Sequence, residues 1–163
     1  IVSGKMLAAV VIGFASLLLI LLALKGSASM ATGMGRMLDV SLPAIAKLLV
    51  ILLPLVVIGT GLITFVAAGA KSMKEAQSHV MWLMMLPMIP TYALMASPLK
   101  DTDLWQYAVP FLSQNQLVQK VTRGESPDAQ QWAVYLGCAL ALGAVLWLAA
   151  VWRYRQEKLA ISA

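Results

Sequence analysis

Four long stretches of apolar residues constrain this chain more than any other feature of its sequence. They cover residues 6–24, 44–70, 79–97 and 132–152. An α-helix rises about 1.5 Å per residue, so a stretch of about 20 residues crosses a bilayer core roughly 30 Å thick. We therefore predict an all-α integral membrane protein in which residues 1–163 form a single transmembrane domain with four transmembrane helices.

The composition favours a membrane over water as the solvent of this chain. Of the 163 residues, 61% are apolar and only 12% are charged, whereas soluble domains carry about 25% charged residues. The net charge of +5 fits basic residues beside membrane spans better than a nucleic-acid surface, which needs a polar face. The only cysteine, Cys138, lies in an apolar run and is predicted to be inert packing.

The beginning of the chain predicts further sequence ahead of it. Ile1 stands where a complete open reading frame would have Met, so we expect the C-terminal part of a longer protein. The first apolar stretch follows Lys5 as in a signal peptide, but it is too long for the apolar region of one.

Basic residues next to the apolar stretches predict the orientation. Those in the shortest segments, where the positive-inside rule acts most strongly, are Lys5, Lys71, Lys74, Arg153 and Arg155. Basic residues on the other side are similar in number but stand in longer segments. We therefore place both chain ends and the loop 71–78 in the cytoplasm, and residues 103–124 on the extracytoplasmic side.

The polar loop 71–78, with the sequence KSMKEAQS, allows two interpretations. It is either a solvated turn whose lysines only fix the orientation, or an element that docks a soluble partner. The residue pattern alone leaves both open.

Residues 103–124 contain apolar groups but no run long enough to cross the membrane. Asp103 is expected to start one short helix, and Ser113 with Gln116 has capping-box spacing for a second, which Gly124 would end. Their polar side chains must be satisfied by water or protein. The segment is therefore either a hairpin that dips partway into the outer leaflet or an amphipathic loop on the surface.

The interiors of the predicted spans contain few residues that could bind an ion or catalyse a reaction. Apart from Lys47, which is close enough to a span end to reach the interface, no ionisable residue lies at mid-membrane depth, where such groups mark ion and proton pathways. The only histidine, His79, stands at a span boundary, so no catalytic or metal-ligating cluster is predicted.

Proline, glycine and alanine predict how the spans begin, bend and pack. Ser126 is expected to cap the last span, with Pro127 in its first turn. Proline is expected to interrupt the second span at Pro54 and the third at Pro87 and Pro90. Small residues stand at close-contact spacing on the last span, and these pairs are Gly137 with Ala141 and Ala139 with Gly143.

Two motifs follow one another in this chain. The first joins two spans and consists of Ser72, Lys74, Glu75, Ala76 and Gln77. The second precedes the last span and consists of Pro110, Asn115, Gly124 and Glu125. In this order they resemble the C-terminal membrane region of type-2 ABC exporter permeases of the NatB-like branch, and the resemblance covers nearly the whole chain. Met73 stands where that branch usually has an aromatic residue.

The resemblance implies the permease subunit of an ATP-driven exporter, in the bacterial inner (cytoplasmic) membrane as a multi-pass protein surrounded by lipid. Such permeases pair with an ABC ATPase subunit that binds ATP and Mg²⁺, and with a second permease copy or homologue. The chain itself would hold no cofactor and would not be an enzyme. The family has earlier spans and its main coupling helix ahead of this region. The exported substrate would be sodium or a small amphipathic compound.

The resemblance also assigns two sites. The predicted contact with the partner ATPase consists of Lys71, Ser72, Lys74, Glu75 and Gln77. The predicted outer hairpin or gate consists of Pro110, Ser113, Asn115, Gln116 and Gly124. Two alternatives remain: a non-transporting membrane scaffold or accessory subunit, and a membrane enzyme whose catalytic residues lie outside this sequence.

Overall fold

The computed structural model describes residues 2–30, 40–70, 72–90, 92 and 103–161, excluding the side chains of residues 29 and 157–161. Within these ranges the chain is helical and has no strand, which confirms the all-α prediction. The elements are α1 (Val2–Met30), α2 (Leu42–Ala68), α3 (Met73–Met85), a 3₁₀ helix (Leu104–Ala108), α4 (Leu112–Thr122) and α5 (Ala129–Ile161).

Three helices in the described part of the chain are long and apolar enough to cross a membrane. Their candidate spans are Val2–Ala28, Leu42–Ala68 and Ala129–Gln156. They overlap the first, second and last predicted spans, so the prediction of a membrane-spanning helical chain is confirmed for these three. The predicted third span stays a prediction, because most of residues 91–97 lie outside the described residues.

The start of that third stretch is helical but interrupted. α3 ends at Met85, a turn follows at residues 86 and 87, and residues 88–90 are helical again. Pro87 has no N–H to donate to the carbonyl of Leu83, and the N–H of Leu86 bonds to that carbonyl instead, over 3.3 Å. The predicted interruption at Pro87 is therefore confirmed.

Pro54 does not interrupt α2, so the prediction of a break there is wrong. The residue is buried inside the helix, which continues to Ala68. Proline removes one helical hydrogen bond, but α2 packs along α5 more extensively than any other pair of elements described. In this contact the hydroxyl of Tyr135 donates to the carbonyl of Ile51, one turn before Pro54. Packing against α5 thus keeps α2 helical despite the hydrogen bond that is missing at Pro54.

α2 and α5 run parallel to each other. Near their starts, Lys47 Nζ lies 3.4 Å from Ser126 Oγ, in the segment that leads into α5. Near their ends, Arg153 lies against Gly69. α1 is antiparallel to α2, since the ammonium of Lys25 donates to the carbonyl of Val40 over 3.0 Å whereas Gly13 approaches Val56. The start of α1 and the ends of α2 and α5 therefore share one end of the molecule.

Small residues bring α2 and α5 close together. A Cβ atom at Gly61 would lie 3.1 Å from Cβ of Leu146, and one at Gly143 would lie 3.2 Å from Cγ1 of Val57. Ala139 is buried in the core, so the predicted contact of Ala139 and Gly143 is confirmed. A Cβ atom at Gly137 would meet nothing within 4 Å, so that residue makes no such contact.

Two further predictions about α5 are wrong. Its N-terminal cap is Asp128, not Ser126: Asp128 Oδ1 accepts from the N–H of Ala129 over 3.0 Å, and Gln131 Oε1 accepts from the N–H of Asp128 over 3.1 Å. The helix begins at Ala129, so Pro127 precedes it. Cys138 is exposed rather than packed in the core.

Candidate functional sites in the hairpin and at the start of α3

The 3₁₀ helix, the turn at residues 109–111 and α4 make up residues 103–124, the segment predicted as a hairpin and called the hairpin below. The 3₁₀ helix packs on α4 and α5, and α4 packs on α2. The shared core is formed by Leu48, Ile51, Ile58, Tyr107, Leu117, Val121, Tyr135 and Ala139. The turn of the hairpin lies beside the second half of α2, where Phe111 and Leu62 line the same cavity. The hairpin thus runs alongside two candidate spans.

Polar side chains of α4 satisfy the backbone of the turn. The carbonyl of Val109 accepts from both the N–H and the hydroxyl of Ser113, over 3.1 and 2.8 Å. The N–H of Phe111 donates to Gln114 Oε1. The carbonyl of Phe111 accepts from the N–H and the side-chain Nδ2 of Asn115, over 3.2 and 3.1 Å. An irregular backbone among apolar helices needs such partners, because water is scarce there.

The predicted role of Ser113 as the cap of the second short helix is wrong. α4 begins one residue earlier, at Leu112, and the Ser113 hydroxyl donates back to Val109 instead of accepting. The residue that reaches back to the start of the helix is Gln114, not Gln116. Phe111 precedes the helix with φ 66°, a conformation that sequence spacing does not reveal.

Gln116 joins the two arms of the hairpin, since its Nε2 donates to Gln106 Oε1. Ser113, Gln114 and Gln116 are the polar residues buried in the described core, at 2%, 4% and 2% exposure. Within that part of the chain, Gln116 Oε1 has no hydrogen-bond partner, whereas the side chain of Gln114 also interacts with the Tyr135 hydroxyl. A buried polar group without a partner destabilises a fold by about 1–3 kcal/mol, so the amide of Gln116 is a costly feature of the site.

Gly124 ends α4 as predicted. Its φ of 78° lies in the left-handed region, where glycine has no Cβ penalty. The N–H of Gly124 donates to the carbonyl of Val121 over 3.1 Å, and the N–H of Glu125 donates to the carbonyl of Lys120 over 2.9 Å. These two bonds are those of a Schellman motif. Among the predicted gate residues, Pro110 lines a cavity beside the turn.

The second predicted site is the N-terminal turn of α3, not a loop. Ser72 Oγ accepts from the N–H of Glu75 over 3.2 Å, so the Ser-x-x-Glu part of the motif is a helix cap. Lys74, Glu75 and Gln77 are exposed, and Glu75 Oε1 lies 3.7 Å from Nε2 of His79. Lys71, which belongs to the same predicted site, lies outside the described residues.

Arg153 lies at the end of the molecule where α2 ends and α3 starts. In the sequence, its position indicated only the orientation of the chain. Its guanidinium lies 4.8 Å from the ring centroid of Phe65, in a cation–π contact. A Cβ atom at Gly69 would lie 1.7 Å from Arg153 Nη2, so glycine leaves the space that the guanidinium occupies. The contact fixes the end of α5 to the end of α2, next to the start of α3.

Across the described residues, no three His, Cys, Asp or Glu side chains are grouped so that they could hold a metal ion. The buried polar side chains of the hairpin are the Ser113 hydroxyl and the Gln114 and Gln116 amides, and each of them bonds to protein.

No protein-family model, curated protein or solved structure matches this chain significantly. The resemblance to type-2 ABC exporter permeases therefore depends on the two motifs quoted above, and the functional conclusion depends on the geometry of the sites.

Proposed function

We propose that this chain is the membrane-spanning permease subunit of an ATP-driven ABC exporter, with ATP and Mg²⁺ bound by a partner ATPase subunit. The observation that carries the proposal is the exposed first turn of α3. There Lys74 and Glu75 present charges of both signs, and Met73 is 81% exposed beside them. An apolar side chain flanked by charges on a capped helix end is a surface suited to a protein partner.

The direction of the helices supports four crossings of the membrane. α2 and α5 start at the same end, as the contact between Lys47 and Ser126 shows. When both helices span the bilayer, the chain between residues 69 and 128 must cross it once more. α3 starts at the end of α2 and is 13 residues long, about 20 Å at 1.5 Å per residue. It therefore forms only the first part of that crossing.

The same arrangement supports a hairpin that enters the membrane from the side on which α2 and α5 begin. Its base lies where these two helices begin, and its turn lies beside the second half of α2. The turn has the bonded backbone that hydrocarbon requires. A hairpin that dips between two spans therefore agrees better with these contacts than a loop on the surface.

The contacts suggest how movement at α3 would reach the hairpin. Residues 69–72 connect α2 to α3, and Arg153 holds α5 at this point through Phe65 and Gly69. A partner that displaces the first turn of α3 would therefore also apply force to the ends of α2 and α5. α2 and α5 enclose the hairpin, so their tilt would change the space around its turn.

The test separates a docking charge from a charge that only sets orientation. We expect Lys74→Glu and Glu75→Gln in the full-length protein to insert normally but to lose copurifying ATPase or its substrate-stimulated hydrolysis. Mismatched charges at an interface cost several kcal/mol, whereas acidic residues contribute little to orientation. Lys5→Glu, at the same end of the molecule but on α1, is the matched control.

The outcome also decides between the proposal and its main alternative. Wild-type ATPase recovery with both α3 variants would remove the docking role of this turn. A stable complex without any ATPase would instead identify the chain as a non-transporting scaffold or accessory subunit.

A further inference from the structure

Two apolar cavities lie on either side of Phe111. The larger has a volume of 410 Å³ and is lined by residues that include Ile58, Leu62, Pro110, Leu142 and Leu146. The smaller has a volume of 180 Å³ and lies between α2 and α3, beside Ile63 and Met84. Phe111 and Leu62 line both cavities. Phe111 therefore stands where the two cavities adjoin.

The lining determines what kind of molecule fits. Every side chain that lines the larger cavity is apolar and carries neither a charge nor a side-chain hydrogen-bond donor or acceptor. A metal cation needs oxygen ligands, and a polar molecule would lose its hydration without replacement. A volume of 410 Å³ falls within the range of small-molecule sites, about 300–1,000 Å³. The lining therefore fits hydrocarbon.

The backbone of Phe111 points to a specific role for its ring. Among the described non-glycine residues, Phe111 alone has a positive φ, at 66°. Such a conformation is strained for a bulky residue and is kept only where the surroundings hold it. Gln114 and Asn115 bond the N–H and the carbonyl of Phe111 and so hold it. Glycine would relieve the strain but would leave no ring between the two cavities.

We infer that the two cavities form a binding site for a single alkyl chain of an amphiphile, and that the ring of Phe111 limits the length of the chain bound. α2 and α5, which line the larger cavity, are candidate membrane spans. Hydrocarbon can therefore enter from the bilayer without passing through water. The inference concerns binding alone, so it does not depend on a partner ATPase or on transport.

The experiment uses the full-length protein in phosphatidylcholine vesicles with a diazirine-bearing hexadecanol as the probe. We expect saturable photolabelling of the peptides that contain Phe111 and Leu142, mapped by mass spectrometry. Competition by unlabelled n-alkanols should stop improving beyond a limiting chain length. Phe111→Ala and Phe111→Gly should both move that limit to longer chains, because each removes the ring, whereas only the second relieves the strain.

Filling the larger cavity provides a second test that does not involve the hairpin. Leu142→Trp and Ile89→Trp should each reduce the saturable labelling several-fold. Leu148→Trp is the matched control, since Leu148 lies on the same helix as Leu142 but is 68% exposed, and it should label as the wild type does. Folding of each variant is checked by its elution as a monodisperse species.

Two results would overturn the inference. One is labelling that rises linearly with probe concentration and marks the exposed face of α1 as strongly as the cavity. The other is an unchanged chain-length limit in properly folded Phe111→Ala and Phe111→Gly variants.

Discussion

The amide of Gln114 gives the backbone of the hairpin turn a hydrogen-bond partner, which an exposed loop would obtain from water. Its Oε1 accepts from the N–H of Phe111, and the neighbouring Ser113 and Asn115 bond the carbonyls on either side of the turn. The sequence alone indicates that this polar run needs partners. Those partners cannot be read from it, because they depend on the positive φ of Phe111, and nothing in the spacing of Phe-Leu-Ser-Gln predicts that angle.

The bonds of the turn predict a ranking of substitutions. Gln114→Met removes the acceptor of the Phe111 N–H and should lower the free energy of unfolding by about 1–3 kcal/mol. Asn115→Leu should cost less, about 0.5–1.5 kcal/mol, because the Phe111 carbonyl keeps its bond from the Asn115 N–H. Asn115→Leu should insert normally but impair transport in the full-length protein, since the turn is held less firmly.

Denaturant titration of the purified variants in detergent measures the ranking. Gln130→Met, at an exposed position of α5, controls for the loss of an amide alone. Equal stability of Gln114→Met and Gln130→Met would show that the Phe111 N–H has another partner.

At the scale of the helices, apolar length located three of the four predicted spans, whereas small-residue spacing, caps and prolines were each right at some positions and wrong at others. The contact of Ala139 and Gly143 with α2 follows from spacing, because residues four apart share a helix face. The cap of α5 does not, since Ser126 and Asp128 both carry a side-chain oxygen and only the reach of Gln131 decides between them. Pro54 shows the same limit, because extensive packing on α5 keeps α2 continuous.

The closest approach of α2 and α5 gives a prediction at this scale. Gly61→Ala places a Cβ atom 3.1 Å from Leu146 Cβ and 3.4 Å from the Leu146 carbonyl carbon. The backbone of α5 cannot move aside as a flexible side chain would, so the helices should separate slightly. We expect a loss of about 1–3 kcal/mol, as for other overpacked cores.

The matched control for this prediction is Gly137→Ala on α5, where a new Cβ atom meets nothing within 4 Å. It should be neutral or stabilising by about 0.5–1 kcal/mol, because alanine favours the helix over glycine. Both variants are measured by the same denaturant titration. A stability of Gly61→Ala equal to that of Gly137→Ala would mean that the two helices are not closely packed at this position.

At the scale of the whole molecule, the apolar stretches alone suggested the membrane, and the parallel contact of α2 and α5 adds a topological constraint. Sequence could not supply that constraint, because it depends on which ends of two distant helices meet. The contact of Lys47 with Ser126 and that of Arg153 with Gly69 define the two ends. The position of the hairpin between the spans was likewise left open by its amphipathic sequence.

The four-crossing topology predicts which positions an impermeant thiol reagent reaches from each side. Single cysteines replace Ser72, Glu125 and Gln156, which are all exposed, in a Cys138→Ala background. Ser113 is unsuitable because it is buried. In sealed, oriented vesicles, Ser72→Cys and Gln156→Cys should react from the cytoplasmic face and Glu125→Cys only from the opposite face, because α5 separates residue 125 from residue 156.

Labelling of Ser72→Cys and Glu125→Cys from one face would mean that the chain between them does not cross the membrane. The contact of Lys47 with Ser126 would then place the start of α2 on that face too, and α2 could not be a span.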